Sequence, residues 1–169
     1  MNTETVLTLT EKISAAEKNL ERQLNWISKY DTRLFFISGI SFTMMGIAAN
    51  AISDLVDRID CLILLLAIVT FGLLTISTVC ACNGFYPRTK AANNSLIYFG
   101  SIAHHDISSY METFKNLTCE KYIDDLLIQI HVNSKLLDKK FRQMQVGFIS
   151  LVVCVPFWIL LIIISGNTF

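Results

Sequence analysis

Three stretches of this chain carry no charged side chain: 19 residues from Leu34 to Ile52, 22 from Cys61 to Cys82, and a third run from Val146 to about Ser165. A helix rises about 1.5 Å per residue, so each is long enough to cross the ~30 Å hydrocarbon core of a bilayer. Lipid offers the backbone no hydrogen-bond partner, so such runs must be helical if they span. The expected fold is therefore an all-α membrane protein with three transmembrane helices. Composition agrees: of 169 residues 53% are apolar and 17% charged, and the charges are clustered. The formal net charge is zero, which gives no electrostatic case for a nucleic-acid partner.

The segments between the runs set the organisation. Residues 1–33 read as a cytoplasmic amphipathic helix and not as a signal peptide, because the first apolar run comes only after a mixed acidic and basic segment. Thr8 and Glu11 have capping-box spacing, and Leu9, Ile13, Ala16, Leu20, Leu24 and Ile27 recur at three- and four-residue steps. That stripe continues to Asp31, an acid on an apolar face three residues before the first span. A carboxylate there is costly to desolvate alone, so a cation at the same depth is expected, with Arg88 preferred over Arg142. Residues 34–82 form a transmembrane hairpin, with spans 34–52 and 61–82 joined by the acidic turn 53–60. On the first span Gly39, Thr43, Gly46 and Asn50 put small and hydrogen-bonding side chains on one face, where another helix can approach closely. The five cysteines fall mostly inside apolar runs and read as packing residues.

Residues 83–145 form a cytoplasmic insert followed by a long helix, and 146–169 a third transmembrane helix with a short external tail. Pro87 should end the helix arriving from the second span, and Gly100 marks a close approach of the backbone. Ser109 and Glu112 can box a short helix through Phe114. A longer helix should begin near Thr118 and run into the third span, with Ile123, Leu126, Ile130, Asn133, Leu137, Lys140 or Phe141, and Met144 as its seam. Its expected partner is the N-terminal helix, the two forming a cytoplasmic stalk. Five of the 14 Lys and Arg precede the first span, one lies in the 53–60 turn, eight lie between the second and third spans, and none follows. The positive-inside rule then puts the N-terminus and the insert in the cytoplasm and the C-terminus outside.

No Asp, Glu, Lys, Arg or His lies within a span, so no proton relay or ion-coordinating carboxylate runs through the bilayer. His104, His105 and Asp106 are adjacent and lack the spacing that places two metal ligands on one helical face. No phosphate-binding glycine loop, nucleophile elbow or paired carboxylate is present, so no catalytic residue, metal or cofactor is assigned.

Tyr30-Asp31-Thr32-Arg33 entering a span, Phe85-Tyr86-Pro87-Arg88 leaving one, the block Asn94 to Ala103, and Asp125-Leu126 through Lys135 to Lys140-Phe141 together resemble the membrane effector family of the Pycsar anti-phage system. The likeness covers roughly residues 28 to 150. It differs at Arg33, where a Lys is common, and at His104-His105-Asp106, which replace a shorter acidic link. The resemblance implies antiviral defence by abortive infection: a cognate cyclase makes cyclic UMP or cyclic CMP, and the effector, a non-enzyme in the bacterial inner membrane, damages that membrane. A cyclic nucleotide needs a cation for its phosphate, an aromatic surface for its base, and amide or hydroxyl groups for the base edge. Arg88, Lys90, Tyr86, Tyr98, Asn93, Asn94 and Ser95 offer these, with Asp31 and Arg33 as gating candidates. The expected partners are the cyclic nucleotide second messenger as activating ligand, the lipid bilayer, and further copies in a homo-oligomer. The competing reading is a non-enzymatic membrane anchor or regulatory subunit that recruits a cytoplasmic partner through its stalk.

Overall fold

The computed structural model of the protein describes residues 7–56, 60–85 and 95–166. Among these residues five helices follow in order: α1 (Leu9–Asp54), α2 (Cys61–Phe85), α3 (Phe99–Ile102), α4 (Ile107–Lys115) and α5 (Cys119–Gly166). The protein is an all-α membrane protein in which α1, α2 and α5 are each long and apolar enough to span a bilayer. The first and third spans are continuous with the helices that precede them, so α1 runs for 46 residues and α5 for 48. The chain divides into two compact units, Met1–Ser28 with Pro87–Asp138, and Lys29–Tyr86 with Lys139–Phe169. Pro87 lies outside the described residues.

In the second unit the apolar parts of α1, α2 and α5 pack into two clusters. One joins Leu34, Ile37, Met44, Leu74, Ala81, Leu151 and Cys154; the other joins Ala48, Ala51, Leu55, Ile63 and Leu161. Lipid tails are as apolar as these side chains, so burial alone does not hold the helices together and polar contacts must contribute. Ser41 and Ser77 are fully buried, with their hydroxyl oxygens 2.9 Å apart, and the Ser77 hydroxyl also reaches the Gly147 carbonyl at 2.9 Å. The Ser77 hydrogen goes to Gly147, and the one hydrogen of Ser41 lies within reach of both Ser77 and the Ile37 carbonyl at 2.8 Å, so these contacts link α1, α2 and α5. Trp158 donates its indole N–H to the Met44 carbonyl at 3.0 Å, and the Cys154 thiol lies 3.5 Å from the Thr70 carbonyl.

Gly147 makes the first of these contacts possible. A Cβ there would stand 3.3 Å from the Ser77 carbonyl oxygen and 3.5 Å from the Cys80 Cβ, so α2 and α5 touch almost backbone to backbone. The face that holds Gly39, Thr43, Gly46 and Asn50 is used differently. All four are exposed, and a Cβ at Gly39 or Gly46 would meet nothing within 4 Å. The chain's own helices pack on Leu34, Ile37, Ser41, Met44, Ala48 and Ala51 instead. At 100° per residue the small-residue face lies about 160° around α1 from that packed face.

The first unit contains the N-terminal part of α1, the insert and the beginning of α5. The capping box forms as expected: the Thr8 N–H and hydroxyl both donate to Glu11 Oε2 at 2.8 Å, and these bonds hold the Glu11 carboxyl below its ordinary pKa. The apolar stripe is narrower than the sequence implies. Ala16 is buried and Ile13, Leu20 and Ile27 half-buried, but Leu9 and Leu24 are exposed, and Gln23 takes the inward position beside Leu24. The start of α4 differs too. Its N-cap is Asp106, whose carboxylate accepts from the Ser108 and Ser109 N–H groups, while Ser109 lies within the helix. Asp106 is in extended backbone just before the helix, which lets its short side chain turn back onto the free N–H groups.

Gly147→Leu is expected to cost about 3 kcal/mol or more by forcing α2 and α5 apart. Gly39→Leu fills open space and should leave the thermal midpoint of the purified protein in detergent unchanged. Equal losses from the two would show that α2 and α5 are not in close contact at Gly147.

Candidate functional site

The described part of the insert is fastened to α5 through one carboxylate. Ser95, only 3% exposed, donates its hydroxyl to Asp125 Oδ2 at 3.0 Å, and the Leu96 N–H donates to the same oxygen at 2.9 Å. The Ser95 oxygen in turn accepts from the N–H groups of Ile97 and Tyr98 at 3.2 and 3.0 Å. The hydroxyl therefore has no hydrogen left to give, and Ser95 serves as the anchor that turns the chain into α3. Tyr98 is the residue before α3, with its ring stacked at a tilt on Phe99 at 4.8 Å between centroids. The close approach at Gly100 comes not from backbone but from the Tyr98 ring, which occupies the space that a Cβ would need.

Around that anchor α1 and α5 are joined by polar contacts. Glu17 accepts from the Tyr122 hydroxyl at 2.7 Å, and Gln23 donates its amide to the Ser134 hydroxyl at 2.8 Å. The Glu17 carboxylate, then burial, raises the Tyr122 pKa, so the phenol keeps the proton that it donates. Among the described residues of this unit two amide atoms are buried without a hydrogen-bond partner: Gln23 Oε1, an acceptor, and Gln129 Nε2, a donor on a residue only 4% exposed. Such atoms are costly to leave unsatisfied.

In the other unit Asp31 has the cation that its position requires. The partner is Lys140, whose Nζ bonds to Asp31 Oδ1. The pair is lopsided: the side chain of Lys140 is 7% exposed and that of Asp31 39%. Tyr30 and Phe141, one residue before Asp31 and one after Lys140, meet edge to face at 5.9 Å and 72°. Of the alternatives Lys140 or Phe141, the buried seam position is thus Lys140, and Phe141 is exposed. The expectation of Arg88 or Arg142 as partner is replaced by this pairing. Arg33 does not join it; its guanidinium lies 5.8 Å from the centre of the Tyr30 ring.

Of the residues singled out for a ligand, Ser95 and Tyr98 come together in one turn, and Asp31 and Arg33 belong to the other unit. Tyr86, Arg88, Lys90, Asn93 and Asn94 lie outside the described residues. Sequence reasoning passed over Asp125, Gln129, Gln23 and the Glu17–Tyr122 contact. Gln129 had a legible signal, since it lies three residues after the seam residue Leu126, on the helical face that should be apolar. Nothing in the sequence distinguished Asp125 from its neighbour Asp124.

The Pycsar effector protein domain matches residues 15–165 of the chain. The Pycsar effector protein GmPycTM of Gulbenkiania mobilis is 24% identical, with the match covering 83% of this chain and 86% of that protein. No solved structure matches.

The lopsided burial of the Asp31–Lys140 pair predicts unequal effects of its two halves. Asp31→Ala strands a buried ammonium and is expected to destabilise by about 3 kcal/mol, near the lower end for buried pairs because Asp31 keeps some water. Lys140→Met places an apolar chain of similar length in the same space and leaves a carboxylate that can hydrate, so its cost should stay below about 1 kcal/mol. Equilibrium unfolding of the two purified variants measures both. Lys140→Met as harmful as Asp31→Ala would mean that the ammonium is not buried.

Proposed function

The chain belongs to the Pycsar effector protein family of anti-phage defence, and on that premise we propose that it senses a cyclic pyrimidine nucleotide through its insert and then disrupts the inner membrane. The observation that carries the membrane half of this reading is the open face of Gly39, Thr43, Gly46 and Asn50 on the first span. Small residues with a few hydrogen-bonding groups allow helices to associate closely in lipid, and this face is left over after the chain's own bundle has closed. A second copy is the occupant proposed for it. With no charge in any span, the damage arises from rearrangement of an oligomer and not from a charged pore lining.

For the sensing half, Arg88 and Lys90 are proposed for the cyclic phosphate, Tyr86 and Tyr98 for the base, and Asn93 and Asn94 for its edge. Ser95 holds the turn on Asp125 and is proposed as a positioning residue. Because α1 and α5 are continuous helices, a change in their pairing on ligand binding is proposed to pass along them to the spans. The Lys and Arg distribution supports the cytoplasmic assignment of the insert.

Bacteria expressing the chain with a uridylate or cytidylate cyclase should admit a membrane-impermeant dye with one of the two, and stay sealed when the chain is expressed alone. The Gly39→Leu, Gly46→Leu double variant should stay sealed in every case while reaching the membrane at normal levels. Equal dye entry with and without the cyclases, or none in any condition, overturns the reading.

A further inference from the structure

An open groove of about 550 Å³ lies between the membrane-entering turns of α1 and α5 in the second unit. Its walls include Phe36, Ile40, Phe148 and Ile149, all large, apolar and exposed, and Arg33 and Gln145 lie on its lining. The groove therefore has a polar end and an apolar body in the order that an amphiphile has. Arg33 and Gln145 fall at the starts of the first and third uncharged runs, where the polar layer of a bilayer gives way to hydrocarbon.

We propose that this groove is a binding site for one phospholipid, with the phosphate on the Arg33 guanidinium and an acyl chain along the apolar walls. Charge selects this occupant. Arg33 makes no ion pair among the described residues, and the acid two positions before it, Asp31, is taken by Lys140. A second copy of the chain would bring its own Asp31 already paired, leaving the guanidinium without a counter-charge in a partly desolvated place. A lipid phosphate supplies that charge with the fork geometry that arginine matches. The groove residues Arg33, Phe36 and Ile40 also lie about 80° around α1 from the face of Gly39, Thr43, Gly46 and Asn50, so a lipid here and a second copy there occupy different faces. The proposal does not depend on the identity of the activating ligand.

The test uses the full chain in nanodiscs of phosphatidylethanolamine and phosphatidylglycerol, followed by mild detergent extraction and native mass spectrometry. Wild type and the surface control Lys18→Gln should each retain one phospholipid per chain. Arg33→Gln, an exposed change that leaves the bundle intact, should retain roughly tenfold less, the scale of losing one charge-assisted contact. Ile40→Trp should reduce retention by blocking the apolar body. A photoreactive amino acid at Phe148 should crosslink to lipid. Equal retention by wild type and Arg33→Gln overturns the proposal, as does a crosslink from position 148 to a second copy of the chain.

Discussion

A lysine ammonium buried at the start of a membrane bundle is costly to leave without a carboxylate partner, and in this protein that carboxylate is Asp31. The desolvation of Lys140 sets the relative register of α1 and α5 in the second unit, because one turn of slip in either helix would strand the ammonium. The neighbours on each side, Tyr30 and Phe141, meet through their ring edges and so share the same register. Apolar side chains could not impose this alone. Leu34, Ile37, Met144 and Leu151 carry no directional contact, and lipid competes with each of them.

Farther into the bundle the same problem is met without charge. Ser41, Ser77 and the Gly147 carbonyl form a short hydrogen-bonded chain across three helices, and Gly147 admits α2 closely enough for it to form. Polar contacts of this sort contribute little each, about 0.6 kcal/mol on average in membrane helices, yet they fix which faces meet. Once those faces are chosen, the remaining faces of α1 are distinct in chemistry. One is lined by small residues open to a helix, and the other is a groove with an arginine at its polar end. The division of labour around a single helix follows from which third of it the bundle consumes.

The three spans, the long α5 and the capping box at Thr8 were legible because each rests on local chemistry: absence of charge, absence of a breaker, and a three-residue spacing. Asp31 was legible as a residue needing a cation, since an acid on an apolar stripe is anomalous in any partner context. Its partner was not. Arg88 and Arg142 were favoured by their depth at the ends of spans, whereas Lys140 was decided by the seam of α5, where one residue's rotation separates it from Phe141. The helix start at Asp106 was hidden because Ser109 and Glu112 offer a competing box, and only the backbone shows which residue is extended. The role of Asp125 depends on a segment thirty residues earlier, which no local pattern reveals.

The coupling between Asp31 and Lys140 is measured directly by a double-mutant cycle of Asp31→Ala, Lys140→Met and the combined variant, followed by equilibrium unfolding. If Asp31 is needed because Lys140 is buried, the combined variant should recover most of the loss caused by Asp31→Ala, giving a coupling of about 2 kcal/mol or more. Losses that simply add, with a coupling below about 0.5 kcal/mol, would contradict it, and α1 and α5 would then be held in register by something other than this pair.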